Sequence, residues 1–178
     1  MKTVSKASSR DHLCRTPVSS SPKTGIPVFD MLGLMQLTIP TARLRAEAQL
    51  PRYAHTGPFG DLAADLHAAE VAELAPGDVK LVPTGLAFEF PAGYGALVED
   101  RSGLAVKGIT TLAGVIDPGY RGELKVVITN VGQQTLMIAV GDRIAQLRIV
   151  QRIEAEYVEA ASVAEAPRGA GGFGSTGV

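Results

Sequence analysis

Tryptophan is absent from the 178 residues and all aromatic residues together make up 5% of them, so the core has to be built from Val, Ile, Leu and Ala. Cysteine is nearly absent as well. A lone Cys14 excludes an internal disulfide, and His12, His55 and His67 stand without Cys or His neighbours at zinc-ligand spacing, which excludes a protein-caged metal of that kind. A surplus of either charge is missing too. A formal net charge of -1 gives no global basic field, so nucleic acid is not an expected partner. No apolar run approaches the roughly 18 residues of a membrane span, and no membrane association is expected.

What is present is a chain 46% hydrophobic and 20% charged, long enough for one domain with a real core. Residues 1–33 read as a disordered tail. Residues 1–30 hold six serines, five Lys or Arg, Asp11 and Asp30 as their acids, and Pro17, Pro22 and Pro27, with no apolar periodicity. A basic, Ser-rich, acid-poor start has the composition of an organelle transit peptide, but it lacks an amphipathic stripe, so the cytoplasm is the expected location. Met31 and Met35 offer alternative starts.

From residue 34 to 160 the texture is that of a single β domain. Short apolar runs at Leu34–Ile39, Val79–Val82, Leu86–Phe90, Gly95–Glu99, Leu124–Val131, Leu136–Val140, Ile144–Gln151 and Glu156–Glu159 predict strands, with Pro-Gly, Asn-Val-Gly and Gly-Asp punctuation between them. Such spacing predicts an antiparallel sandwich or barrel. Leu62 to Leu74, rich in Ala, Leu and Glu, reads as a helix on propensity alone. Residues 161–178 form an Ala-rich linker and a Gly-rich arm that cannot hold structure by themselves, because so many glycines forfeit backbone entropy.

The stretch Ala113-Gly114-Val115-Ile116-Asp117-Pro118-Gly119-Tyr120 organises the rest. Apolar residues enter an Asp-Pro-Gly turn and Leu124 to Thr129 leaves it, a pattern that predicts a β-hairpin lifting one carboxylate and one ring. Taken alone this is an ordinary Asp-capped turn. It has company: Asp61-Leu62-Ala63-Ala64-Asp65-Leu66, Arg101-Ser102-Gly103-Leu104-Ala105, Gly141-Asp142-Arg143-Ile144-Ala145-Gln146-Leu147, and the arm Arg168 to Val178 with Gly172-Phe173-Gly174-Ser175-Thr176.

These five blocks, in this order, make residues 35 to 178 resemble the trimeric deoxyuridine triphosphatase (dUTPase) family. The resemblance implies an all-β antiparallel jelly-roll with very little helix, in which Leu62 to Leu74 is extended, three subunits share three sites, and the C-terminal arm closes over a site. It implies hydrolysis of dUTP to dUMP and pyrophosphate, which keeps uracil out of DNA and supplies dUMP for dTMP synthesis. Mg²⁺ would be held mainly by the triphosphate, with Asp65 contributing through a bound water.

Carried onto this chain, Asp117 is the base for water attack on the α-phosphorus, and Tyr120 packs against the deoxyribose to refuse a 2′-hydroxyl. The backbone of Gly114, Val115 and Ile116 meets the uracil edge. Arg101, Ser102, Gly103 and Gln146 donate to the phosphates, while Arg168, Ser175 and Thr176 grip the γ-phosphate and Phe173 stacks on uracil between Gly172 and Gly174. Ala63 stands where the family pattern has glycine, and Thr111 is given no role. Two other readings share the fold or the pocket. The sister dCTP deaminase, including bifunctional forms, needs a proton-shuttling glutamate where this chain has Val127, and a non-catalytic nucleotide-sensing module would bind without turnover.

Overall fold

The computed structural model describes residues 28–29 and 35–171. The short strands β1 (Val28–Phe29) and β2 (Met35–Gln36) pair with each other. Then follow β3 (Thr41–Arg43), β4 (Ala64–His67), β5 (Ala72–Leu74), β6 (Val79–Phe88), β7 (Tyr94–Glu99), the one-turn helix α1 (Ser102–Ala105), β8 (Ile109–Leu112), β9 (Val115–Ile116), β10 (Leu124–Asn130), β11 (Leu136–Ile138) and β12 (Arg143–Gln151). Two four-stranded antiparallel sheets, β3-β6-β10-β8 and β4-β12-β7-β9, form a jelly-roll-like fold, with β11 and β5 paired beside them. Leu66, Leu74, Leu86, Leu124, Ile128 and Ile144 are fully buried in one mostly aliphatic core, to which the stacked Phe88 and Phe90 add the rings.

Leu62 to Leu74 is extended: β4 pairs with β12 and β5 with β11. Helix propensity loses here because consecutive residues Ala63 to Leu66 are all buried, a demand that a one-sided helix cannot meet.

Three sequence expectations need correction. Val79–Val82 and Leu86–Phe90 are one strand, not two, because the register with β10 slips between Leu124 and Lys125 and so absorbs the intervening Thr84-Gly85 as a bulge. The Thr84 hydroxyl donates to the Leu124 carbonyl at 2.6 Å and the Gly85 N–H donates to Glu123 at 3.0 Å, so the bulged groups stay satisfied. Glu156–Glu159 is not a strand. Beyond Arg152, whose N–H donates to the Gly93 carbonyl, residues 153–170 are exposed throughout and pair with no strand among the described residues.

The third correction concerns the hairpin. Its stem is β8 with β10, Val127 opposite Leu112 and Asn130 opposite Ile109. Val115–Ile116 does not pair with Leu124 onward but crosses to the other sheet and pairs with β7, Ala96 opposite Ile116. The Asp117 turn therefore joins the two sheets.

Candidate functional site

Two clefts hold some of the residues singled out by sequence: Val115, Ile116, Asp117 and Tyr120 line one, and Arg101 lines the other. The first, about 470 Å³, is lined by Val115, Ile116, Asp117, Tyr120, Glu123, Leu124, Lys125 and Leu81. Gly114 makes its wall possible: its φ is +119°, and a Cβ there would stand 2.7 Å from the Val98 carbonyl oxygen. That carbonyl lies beside the ladder that the Gly114 oxygen extends by accepting the Val98 N–H at 2.8 Å. The Tyr120 N–H donates to the Asp117 carbonyl at 3.0 Å and closes the turn, leaving the Asp117 side chain exposed. The Tyr120 hydroxyl donates to the Glu123 carbonyl at 2.9 Å, and its ring folds back where Gly122 has no side chain. With its polar tip committed, the ring offers the cleft an apolar surface.

The second cleft, about 270 Å³, is lined by Arg101, Leu104, Lys107, Asp142, Arg143 and the residues of β11. The two clefts share no lining residue. Ser102 and Gly103 open α1 and are exposed, so the short helical start expected there is present.

Beside the second cleft, Asp65 is 7% exposed. Arg101 Nε donates to Asp65 Oδ1 at 3.0 Å and an Arg143 guanidinium nitrogen donates to Oδ2 at 3.2 Å, while Arg101 also reaches the Arg143 carbonyl. Each carboxylate oxygen so engaged keeps a further acceptor site. Gln146 stands opposite Asp65 in the β4–β12 ladder.

Arg143 is a member of this cluster that sequence reasoning left without a role. Period-2 alternation puts Arg143 and Gln146 on opposite faces of a strand. The register shift between Arg143 and Ala145 returns both to the Asp65 side, since Arg143 stands opposite His67 and Gln146 opposite Asp65. No local residue signals such a bulge. Burial holds the His67 imidazole below its ordinary pKa; Asp65 pulls it up, and Arg143, Arg101 and Arg52 push it further down. The buried Nδ1 of His67 has no hydrogen-bond partner among the described residues.

Arg168 is exposed, its Nε donating to the Gly171 carbonyl at 2.9 Å within its own turn. Gly172, Phe173, Gly174, Ser175 and Thr176 lie outside the described residues, as does most of the expected N-terminal tail. No group of three or more His, Cys, Asp or Glu with metal-binding geometry occurs among the described residues, and no described helix is long and apolar enough to cross a membrane.

The dUTPase family model matches residues 52–177. The deoxyuridine 5'-triphosphate nucleotidohydrolase of Solibacter usitatus is 50% identical over 151 residues, covering 83% of this chain and 99% of its own length. The protein of the same name from Thermobifida fusca is 49% identical over 156 residues, 85% of this chain and 82% of its own. Among solved structures, the Staphylococcus bacteriophage 80alpha dUTPase with dUPNHPP superposes with a TM-score of 0.70 at 28% identity, covering 79% of this chain and 99% of that one. A variant of the dUTPase from phage phi11 of S. aureus, described for its coordination of a structural Mg(II) ion, gives 0.64 at 26% identity over 70% of this chain and 97% of its own.

Proposed function

The chain belongs to the dUTPase family, and from that premise we propose that it hydrolyses dUTP to dUMP and pyrophosphate. The observation that carries the reading is the exposed Asp117 carboxylate on an inter-sheet turn, lining one cleft with the apolar face of Tyr120. Asp117 holds a water by hydrogen bond and takes its proton as the oxygen attacks the α-phosphorus in line, with pyrophosphate leaving on the opposite side. Tyr120 covers C2′ and refuses ribose by contact rather than by a polar interaction, because its hydroxyl is spent on Glu123. The backbone from Gly114 to Ile116 reads the uracil edge.

Arg101, Ser102, Gly103 and Gln146 donate to the phosphates, and Arg168, Ser175 and Thr176 close on the γ-phosphate while Phe173 caps the base. The donor set suits Mg²⁺ carried in on the triphosphate: Asp65 is held by two guanidiniums and retains acceptor capacity for a metal-bound water, not a vacant direct ligand site. When bound, the ion neutralises phosphate charge that the guanidiniums leave unbalanced.

The assembly is a homotrimer in this reading. The Asp117 cleft and the Arg101 cleft are separately lined, and Ile153, Tyr157, Val158 and Val163 lie on a segment that is exposed from residue 153 to 170. Both features suit sites completed by neighbouring subunits. Pyrophosphate release measured with dUTP, dCTP, dTTP and UTP in the presence of Mg²⁺ tests the function. Turnover confined to dUTP is expected. Deamination of dCTP would favour the sister enzyme, and tight dUTP-analogue binding with no turnover of any nucleotide would favour a sensor.

A further inference from the structure

Asp100, at the junction of β7 and α1, belongs to none of the site roles above. Its carboxylate faces β8. Oδ2 accepts from the Thr110 hydroxyl at 2.7 Å, and Oδ1 accepts from both the Thr111 hydroxyl at 2.7 Å and the Thr111 N–H at 2.6 Å. Partial desolvation opposes its charge, but these three donors more than offset that and hold the carboxyl below its ordinary range. An anion directly before Arg101, in a turn meant for phosphate, would be a liability if its charge faced the ligand. Here that charge is turned away and absorbed by two threonines.

The two ends of this contact adjoin different sheets, Asp100 directly after β7 and the threonines within β8. β7 belongs to β4-β12-β7-β9 and β8 to β3-β6-β10-β8, and α1 is inserted between them in sequence. On the β7 side, Asp100 is followed at once by Arg101, Ser102 and Gly103. On the β8 side, Thr111 is followed by the crossing through Ala113 and Gly114, the former at φ +61° and the latter at +119°, into Val115, Ile116 and Asp117.

We propose that Asp100 is a positioning residue: through Thr110 and Thr111 it fixes the separation between the phosphate-binding turn and the strand that leads to the base pocket and Asp117. The inference rests on the proposed dUTPase reading. A nucleotide gripped at both ends places its α-phosphorus at the attacking water only if that separation is held, since a displacement of about 1 Å can cost on the order of 100-fold in rate. The effect belongs in kcat more than in KM, because each end still binds its own part of the nucleotide.

Steady-state dUTP hydrolysis by the full chain, with thermal unfolding alongside, tests this on Asp100→Ala, Asp100→Asn and Thr111→Val. Asp100→Ala should lower kcat by roughly 10- to 100-fold with KM within about threefold of the parent. Asp100→Asn, which keeps acceptor oxygen toward Thr111 but presents an amide to one threonine hydroxyl, should recover part of that loss. Thr111→Val, which keeps the N–H contact, should lower kcat by a smaller factor, and combining it with Asp100→Ala should add little. Asp100→Ala with parental kcat would overturn the inference, and so would losses in all three variants that track their melting temperatures with no split between kcat and KM. A parent chain without dUTP turnover would overturn the functional reading first and this one with it.

Discussion

Replacing Gly114 by alanine puts the inter-sheet crossing to its hardest test. At φ +119° a residue with a Cβ is strained by about 1–3 kcal/mol whatever its surroundings. The added Cβ would also stand 2.7 Å from the Val98 carbonyl oxygen and 3.1 Å from the Val98 Cβ, a clash with backbone that a rotamer change cannot relieve. Overpacking of that kind costs about 1–3 kcal/mol, so the two effects together reach about 2–6 kcal/mol if the loop keeps its path. If instead the loop yields, the cost falls and Asp117, three residues on, moves; about 1 Å is enough to cost on the order of 100-fold in rate.

Gly77→Ala is the control. Gly77 has φ +86° and open space around its missing Cβ, so it bears strain of about 1–2 kcal/mol and no clash, in a turn away from both clefts. Differential scanning calorimetry and pyrophosphate release on both variants give the comparison. For a chain of this size 1 kcal/mol shifts Tm by about 2–4 °C, so Gly77→Ala should melt roughly 2–8 °C early with parental kcat. Gly114→Ala should melt earlier still, or lose kcat by at least tenfold, or both. A Gly114→Ala protein that matches Gly77→Ala in stability and the parent in kcat would refute the claim that the crossing at Gly114 sets the position of Asp117.

Asp117→Asn should lower kcat by orders of magnitude and leave the affinity for a non-hydrolysable dUTP analogue near the parental value, because the amide keeps the carboxylate's shape but cannot take the proton; kinetics beside calorimetric binding checks both halves. Ending the chain after Ala166 should nearly abolish turnover while leaving the melting temperature unchanged, as residues 167 to 170 are exposed throughout. Stability should fall as pH drops below about 4. The backbone N–H of His55 holds Asp61 low, the Arg148 guanidinium holds Glu99 low, and Asp100 lies low because its threonine donors outweigh its desolvation. Carboxyls with depressed folded pKa values stabilise the fold above their unfolded pKa and lose that contribution as acid protonates them, which thermal melts from pH 6 to pH 3 would follow.

The β class, the extended path of Leu62 to Leu74 and the short helical start at Ser102 were legible in the sequence, the first from turn spacing and the other two from the order of the blocks. Pairing was not. Val115–Ile116 and Leu124 onward flank one turn and look like hairpin arms, yet which edge a two-residue strand joins is decided by long-range packing, here against Ala96 and Leu97. Bulges were equally hidden. At Thr84-Gly85 one bulge turns two apparent strands into one, and beside Arg143 another brings an arginine onto the face of Asp65, where alternation would have turned it away. Arg143 reaches Asp65 because of that second bulge, whereas Arg101 reaches it from the N-cap of α1, and neither ion pair had a signature in Asp61 to Leu66.

Attack on the α-phosphorus by water held at Asp117 is the claim on which the rest of the account depends. Hydrolysis of dUTP in water enriched in oxygen-18, with the products separated and weighed by mass spectrometry, locates the bond that forms. One labelled oxygen in dUMP and none in pyrophosphate is the predicted result; label in pyrophosphate would mean attack at the β-phosphorus and would contradict the role given to Asp117.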